Sequence, residues 1–112
     1  LERKNMTIIT REGMEKALQQ NYDNEDTEAE HVAQASYVKE YLRTVLAEQV
    51  FKAPDDLSGA MKEHWARQSD EYKQHLLAMK ESIRLKEKDN FRRKDNDMYC
   101  SQFQSLTKAG AI

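Results

Sequence analysis

One cysteine, one proline and three glycines are spread over 112 residues, and each scarcity excludes something. A lone thiol, Cys100, cannot form an internal disulfide, which fits a reducing compartment such as the cytoplasm. Three glycines and Pro54 leave too few tight turns for an all-β chain. No apolar run approaches the ~18 residues a membrane helix needs, and no signal peptide is recognisable, so no membrane partner is expected. There is no glycine-rich phosphate loop and no H-E-x-x-H pair.

The remaining chemistry is equally thin. His31, His64 and His75 are the only histidines. On a helix His64 and His75 would stand ~16 Å apart, too far to share a metal. "DNDMYC" has the first acids of a calcium loop but not its glycine or its later glutamate. Cys100 has no histidine within its helical turns to activate it, so it reads as a small half-buried residue. The expectation is a non-enzymatic chain with no catalytic residue, no metal and no cofactor. Met6 opens "MTIITREGM", so Leu1–Asn5 reads as an upstream fragment or a cloning scar.

Charge is what the chain does have. Charged residues make up 34% and hydrophobic ones 38%, which favours long solvated helices over a thick globule. The length bounds the chain to one domain with a modest core. The net charge of −2 predicts no global attraction to nucleic acid, but its distribution is uneven. Residues 12–30 hold seven acidic side chains against one basic, Lys16. Residues 84–94 hold six basic ones (Arg84, Lys86, Lys88, Arg92, Arg93, Lys94) against Glu87 and Asp89, a local excess of four.

Periodicity and caps predict three helices. Thr10 can cap a short helix over 10–22, with Met14, Ala17, Leu18 and Tyr22 on one side and Gly13 weakening it. "NYDNEDTE" then reads as a polar linker. Thr27 and Glu30 have capping-box spacing for a second helix over 27–52, and Glu28 and Glu30 suit its positive end. Its apolar face is Val38, Tyr41, Leu42, Val45, Leu46, Gln49 and Val50. "KAPDDLSG" is the clear break, with Asp55, Asp56 and Ser58 as candidate caps. So short a connection predicts an antiparallel hairpin with a long, coiled-coil-like helix over 58–109. There, Trp65, Tyr72 and Met79, with Ser69, Leu76 and Ile83, form a seam that Ser69 interrupts. Lys108 and Gly110 supply a stop.

The stretch "RLKEKDNFRRKDND" at 84–97 divides the readings. If it is helical, the third element runs ~75 Å and the second only ~39 Å. Met98, Tyr99, Phe103 and Leu106 then have no partner in their own chain beyond the short first helix. Such a set marks an oligomer interface, with self-association expected. Alternatively the chain turns near Asp89-Asn90 or Asp95-Asn96 and forms a compact bundle. The basic cluster also has two readings. Arg84, Lys86, Lys88, Arg92, Arg93 and Lys94 could contact phosphates of single-stranded DNA while Phe91 stacks on a base. Alternatively they form a solvated helix face, with Lys88, Arg92 and Lys94 paired to nearby acids.

The segments "MEKAL" (14–18), "NEDTEAE" (24–30), "TVLAEQVF" (44–51), "SDEYKQHLLAMKE" (69–81) and "SLTKAGAI" (105–112) together resemble a type of small helical protein encoded by tailed bacteriophages. Where that type ends in a Trp-Arg-Ser-like segment, this chain has Phe103-Gln104-Ser105. The resemblance implies an oligomeric accessory that assists DNA recombination or replication, acting beside a recombination or replication protein in the host cytoplasm. It brings no catalytic residue with it. The rival expectation is a structural or adaptor helical protein that binds only protein.

Overall fold

The structure, a computed structural model, describes residues 8–111. The reading of Leu1–Asn5 lies outside the described residues. Among these the chain is all-α, with no strand: α1 (Arg11–Asp23), α2 (Glu25–Lys52), α3 (Gly59–Arg67) and α4 (Asp70–Lys108). No described helix is long and apolar enough to cross a membrane.

Local chemistry sets the helix ends. The Thr10 side chain accepts the Gly13 amide at 3.0 Å, as its position predicts. Ser58 likewise accepts the Met61 amide at 3.3 Å and opens α3. At the far end Gly110 has φ +73, its amide returns to Thr107 at 3.1 Å, and the Ala111 amide returns to Leu106 at 2.9 Å. This double closure satisfies the last carbonyls of α4, and the left-handed backbone suits glycine.

Three boundaries differ from the sequence reading. "NYDNEDTE" is helical except at Asn24, and α2 starts at Glu25, so the Thr27–Glu30 capping box is not the start. Asn24 does the work instead. Its backbone and side-chain amides both donate to the Gln20 carbonyl, at 3.1 and 2.8 Å, while its own carbonyl accepts the Glu28 amide at 2.8 Å. One residue thus ends α1 and begins α2.

The helix expected over 58–109 is two helices. Residues 84–97 lie wholly inside α4, with no turn at Asp89-Asn90 or Asp95-Asn96. The interruption falls at Gln68-Ser69. The Gln68 and Ser69 amides bond back to Trp65 and Ala66, each at 3.1 Å, a tightening to i→i−3 closure. The Ser69 hydroxyl donates to the Ala66 carbonyl at 2.7 Å and accepts the Tyr72 amide at 3.2 Å. Ser69 is therefore a cap rather than a flaw in a seam, and Asp70 and Glu71 follow it in the first turn.

The chain divides into two compact units. The first joins the N-terminal residues through Glu28 with those from Lys88 onward; the second is Ala29–Glu87. In the second unit, Leu42 and Val45 of α2 pack on Tyr72 of α4, with Leu46, Leu76 and Met79 around them. Gln49 Nε2 donates to Glu71 at 2.6 Å, and Tyr41 meets the His75 ring edge-on at 5.1 Å. Ala66 is fully enclosed, but Trp65 and Ile83, read as seam residues, stay partly in solvent. In the first unit, Ala17, Asn21, Asp89 and Phe103 are buried. The end of α4 therefore does have a partner in its own chain: it is α1.

Candidate interaction surface

The first unit is built on polar contacts between α1, the first residues of α2 and the second half of α4. Tyr99 Oη accepts the Thr10 amide at 3.0 Å and donates to the Ile8 carbonyl at 3.1 Å. Asn96 donates to Gln20 and Asn21 at 2.8 and 2.9 Å, and Asn21 donates to Asp97 at 3.2 Å. The Arg11 guanidinium lies 5.9 Å from the centre of the Phe103 ring.

The contact with most charge is Glu28 with Arg92 and Arg93. Arg93 Nε reaches Glu28 Oε2 at 2.9 Å and its Nη2 reaches Oε1 at 3.3 Å, while Arg92 Nη2 reaches the same Oε1 at 3.2 Å. Arg92 also lies 3.3 Å from Asp89, a buried carboxylate. The Glu28 side chain is only 15% exposed. The Arg93 hydrogen bonds hold its carboxyl below the ordinary carboxylate range, against burial, which pulls the other way.

The structure thus divides the sequence's basic cluster. In the second unit Arg84 is held by Glu81 through bonds of 2.9 and 2.6 Å, and Lys86 is half-buried beside Lys39 and Ile83. In the first unit Arg92 and Arg93 face inward to Glu28, whereas Lys88, Phe91 and Lys94 point to solvent. The proposed oligomer set divides too. Phe103 is buried and Tyr99 and Leu106 are half-buried within the unit, leaving Met98 exposed.

The sequence reading missed Glu28 as the acceptor of two arginines, treating it only as a favourable charge at a helix start. The signal was present: an acidic block at 12–30 and a basic block at 84–94 are opposite in sign and read separately say nothing of each other. Cys100 is half-buried, its Sγ donating to the Met14 carbonyl at 3.9 Å. Burial, with Asp97 nearby, pushes its thiol up, away from the reactive thiolate. No family model, no curated protein and no solved structure matches this chain.

Proposed function

We propose that this chain is a non-enzymatic, cytoplasmic helical accessory protein that works by binding a protein partner. The sequence resemblance supports a phage recombination or replication setting. The observation that carries the reading is the state of the arginines: Arg84, Arg92 and Arg93 each already hold a carboxylate. Phosphate binding draws its free energy from side-chain cations that displace the counterions condensed on the nucleic acid, and freeing Arg92 and Arg93 would strand a largely enclosed Glu28. The second unit meanwhile keeps large apolar side chains in solvent. Phe51 is 91% exposed, and Met61, Tyr37 and Leu77 are also exposed. Aromatic and methionine side chains of this kind anchor protein interfaces.

A second reading has its own observation. Lys88 and Lys94 flank exposed Phe91 on α4, which gives single-stranded DNA two cations and one ring. A labelled oligonucleotide titrated at two salt concentrations separates the two. The protein-binding reading expects weak association with a shallow salt dependence. Tight binding that falls steeply with salt, and is lost in a Lys88→Ala/Lys94→Ala variant, would replace it with the nucleic-acid reading.

A further inference from the structure

The second unit carries a groove of about 290 Å3 between α2 and α4, lined by Ala35, Ser36, Lys39, Ile83 and Lys86. Its cause is local. The packed face of α2 runs Val45, Leu42, Val38 and Ala35 at steps of three and four residues, so its side chains shrink to a methyl at the last step. Ser82, buried on α4 just before Ile83, is small as well.

Two uncompensated cations stand at this groove. Among the described residues neither Lys39 nor Lys86 holds a carboxylate, whereas Arg43 holds Glu40 at 3.6 Å and Arg84 holds Glu81 at 2.6 Å. One helical turn from Lys39 lie Ala35, Ser36, Leu42 and Arg43, none of them acidic. One turn from Lys86 the single acid is Asp89, which is buried and lies 3.3 Å from Arg92. Lys86 is half-buried, so water screens its charge less than that of a fully exposed lysine. Two like charges beside one small groove repel each other, and an anion placed there relieves the repulsion.

The lining selects the kind of anion. Ala35 is buried, and Ile83 adds a partly exposed apolar wall. A phosphate, hydrated on every oxygen, gains nothing from such a wall. A carboxylate side chain carried beside an apolar one satisfies both features, the lysines taking the charge and Ile83 the apolar contact. The volume is small beside the roughly 300–1,000 Å3 of complete small-molecule sites, so the groove takes an anchoring side chain rather than a whole ligand.

We propose that this groove receives an acidic side chain of the protein partner, presented next to a leucine-like neighbour and gripped by Lys39 and Lys86. The inference rests on the protein-partner reading above and adds the chemistry that the partner must carry.

The test is a nuclear magnetic resonance titration of the full chain, labelled with carbon-13 at its alanine and isoleucine methyls. The probe is an acetylated, amidated peptide, Leu-Glu-Glu-Leu-Leu-Glu-Glu-Leu, with its all-glutamine counterpart as control. The acidic peptide shifts the Ala35 and Ile83 methyls saturably and leaves the enclosed Ala66 methyl in place, while the glutamine peptide shifts none. Lys39→Met and Lys86→Met keep the aliphatic stem and remove the charge, so the helical circular dichroism is unchanged. Each weakens binding about threefold to fivefold, the scale of a solvent-exposed ion pair, and the double variant about tenfold or more. No saturable shift, an equal shift with the glutamine peptide, or indifference to both variants would overturn the inference. So would inorganic phosphate moving the same methyls as strongly, or an oligothymidylate displacing the peptide. The protein-partner reading fails separately: steeply salt-dependent oligonucleotide binding that is lost in Lys88→Ala/Lys94→Ala removes it, whereas a silent groove in a chain that binds no oligonucleotide removes this inference alone.

Discussion

Gly13 of α1 lies directly against the ring of Tyr99 of α4, so close that a Cβ there would overlap the tyrosine hydroxyl and Cζ. The bare Cα lets Tyr99 reach past it to the Thr10 amide and the Ile8 carbonyl. Within an isolated helix glycine costs about 1 kcal/mol relative to alanine. Here the approach of another helix outweighs that local cost.

Gly13→Ala is therefore expected to destabilise the wild type by about 1–2 kcal/mol, through displacement of the ring and loss of its hydrogen bonds. In a Tyr99→Ala background the same change should stabilise by up to about 1 kcal/mol, since only helix propensity remains. Urea denaturation of the four proteins measures this reversal of sign. A Gly13→Ala chain more stable than wild type would refute the close approach.

The Glu28 carboxylate links stability to pH. Its folded pKa lies below its ordinary value, with Arg93 hydrogen bonding as the largest cause. A lowered carboxylate contributes stability that is fully present above the ordinary glutamate value and is lost as pH falls through the lowered one. Thermal melts should show that acid loss in the wild type and less of it in Glu28→Gln. At neutral pH Glu28→Gln should cost about 1–3 kcal/mol, because the amide keeps one acceptor oxygen but loses the negative charge that two guanidiniums share and turns an NH2 donor toward them, while Arg92 Nε is already buried without a hydrogen-bond partner. The variant should also bind oligonucleotide more tightly than wild type at low salt, since it releases positive charge.

Ser69 separates α3 from α4 with one hydroxyl used twice. Ser69→Ala removes both bonds and should cost about 1 kcal/mol, read as a lower urea midpoint. Ser69→Asp, which keeps an acceptor for the Tyr72 amide, should lose distinctly less. Equal losses in the two variants would argue against a capping role.

Two neighbouring core positions of α2 should respond differently. Val45 is 2% exposed, and Val45→Ala should cost about 2 kcal/mol in the lost methyls and the void they leave. Gln49 is 4% exposed, and among the described residues its side chain bonds to Glu71, whose side chain is 60% exposed. Gln49→Leu returns that carboxylate to water and adds apolar packing, so its cost should stay below about 1 kcal/mol. Denaturant unfolding of both variants provides the comparison. A larger loss at Gln49 would mean that the amide bond, not apolar contact, secures this part of the core.

Some of this architecture was legible because its causes are local. Thr10 and Ser58 accept amides three residues ahead, and Gly110 closes α4 on carbonyls within the preceding turn. Where local signals competed, the sequence reading chose the wrong one. Thr27 and Glu30 form a better capping pair than Asn24, yet Asn24 begins α2 because it also ends α1. Ser69 fits a seven-residue spacing and a cap equally well, and spacing alone does not rank the two.

The candidate surface was legible in composition but not in direction. By itself the sequence determined an all-α chain, its principal caps, and a charge-dense α4 with apolar residues on more than one side. Those properties follow from steps of a few residues, within which a chain satisfies its own amides. Tertiary structure alone decided that Arg92, Arg93, Tyr99 and Phe103 turn toward α1 and the start of α2 while Lys88, Phe91, Lys94 and Met98 turn outward. Helical periodicity places residues on faces. It does not say which face meets another helix, because that depends on partners more than sixty residues away and on which carboxylate arrives to neutralise a given cation.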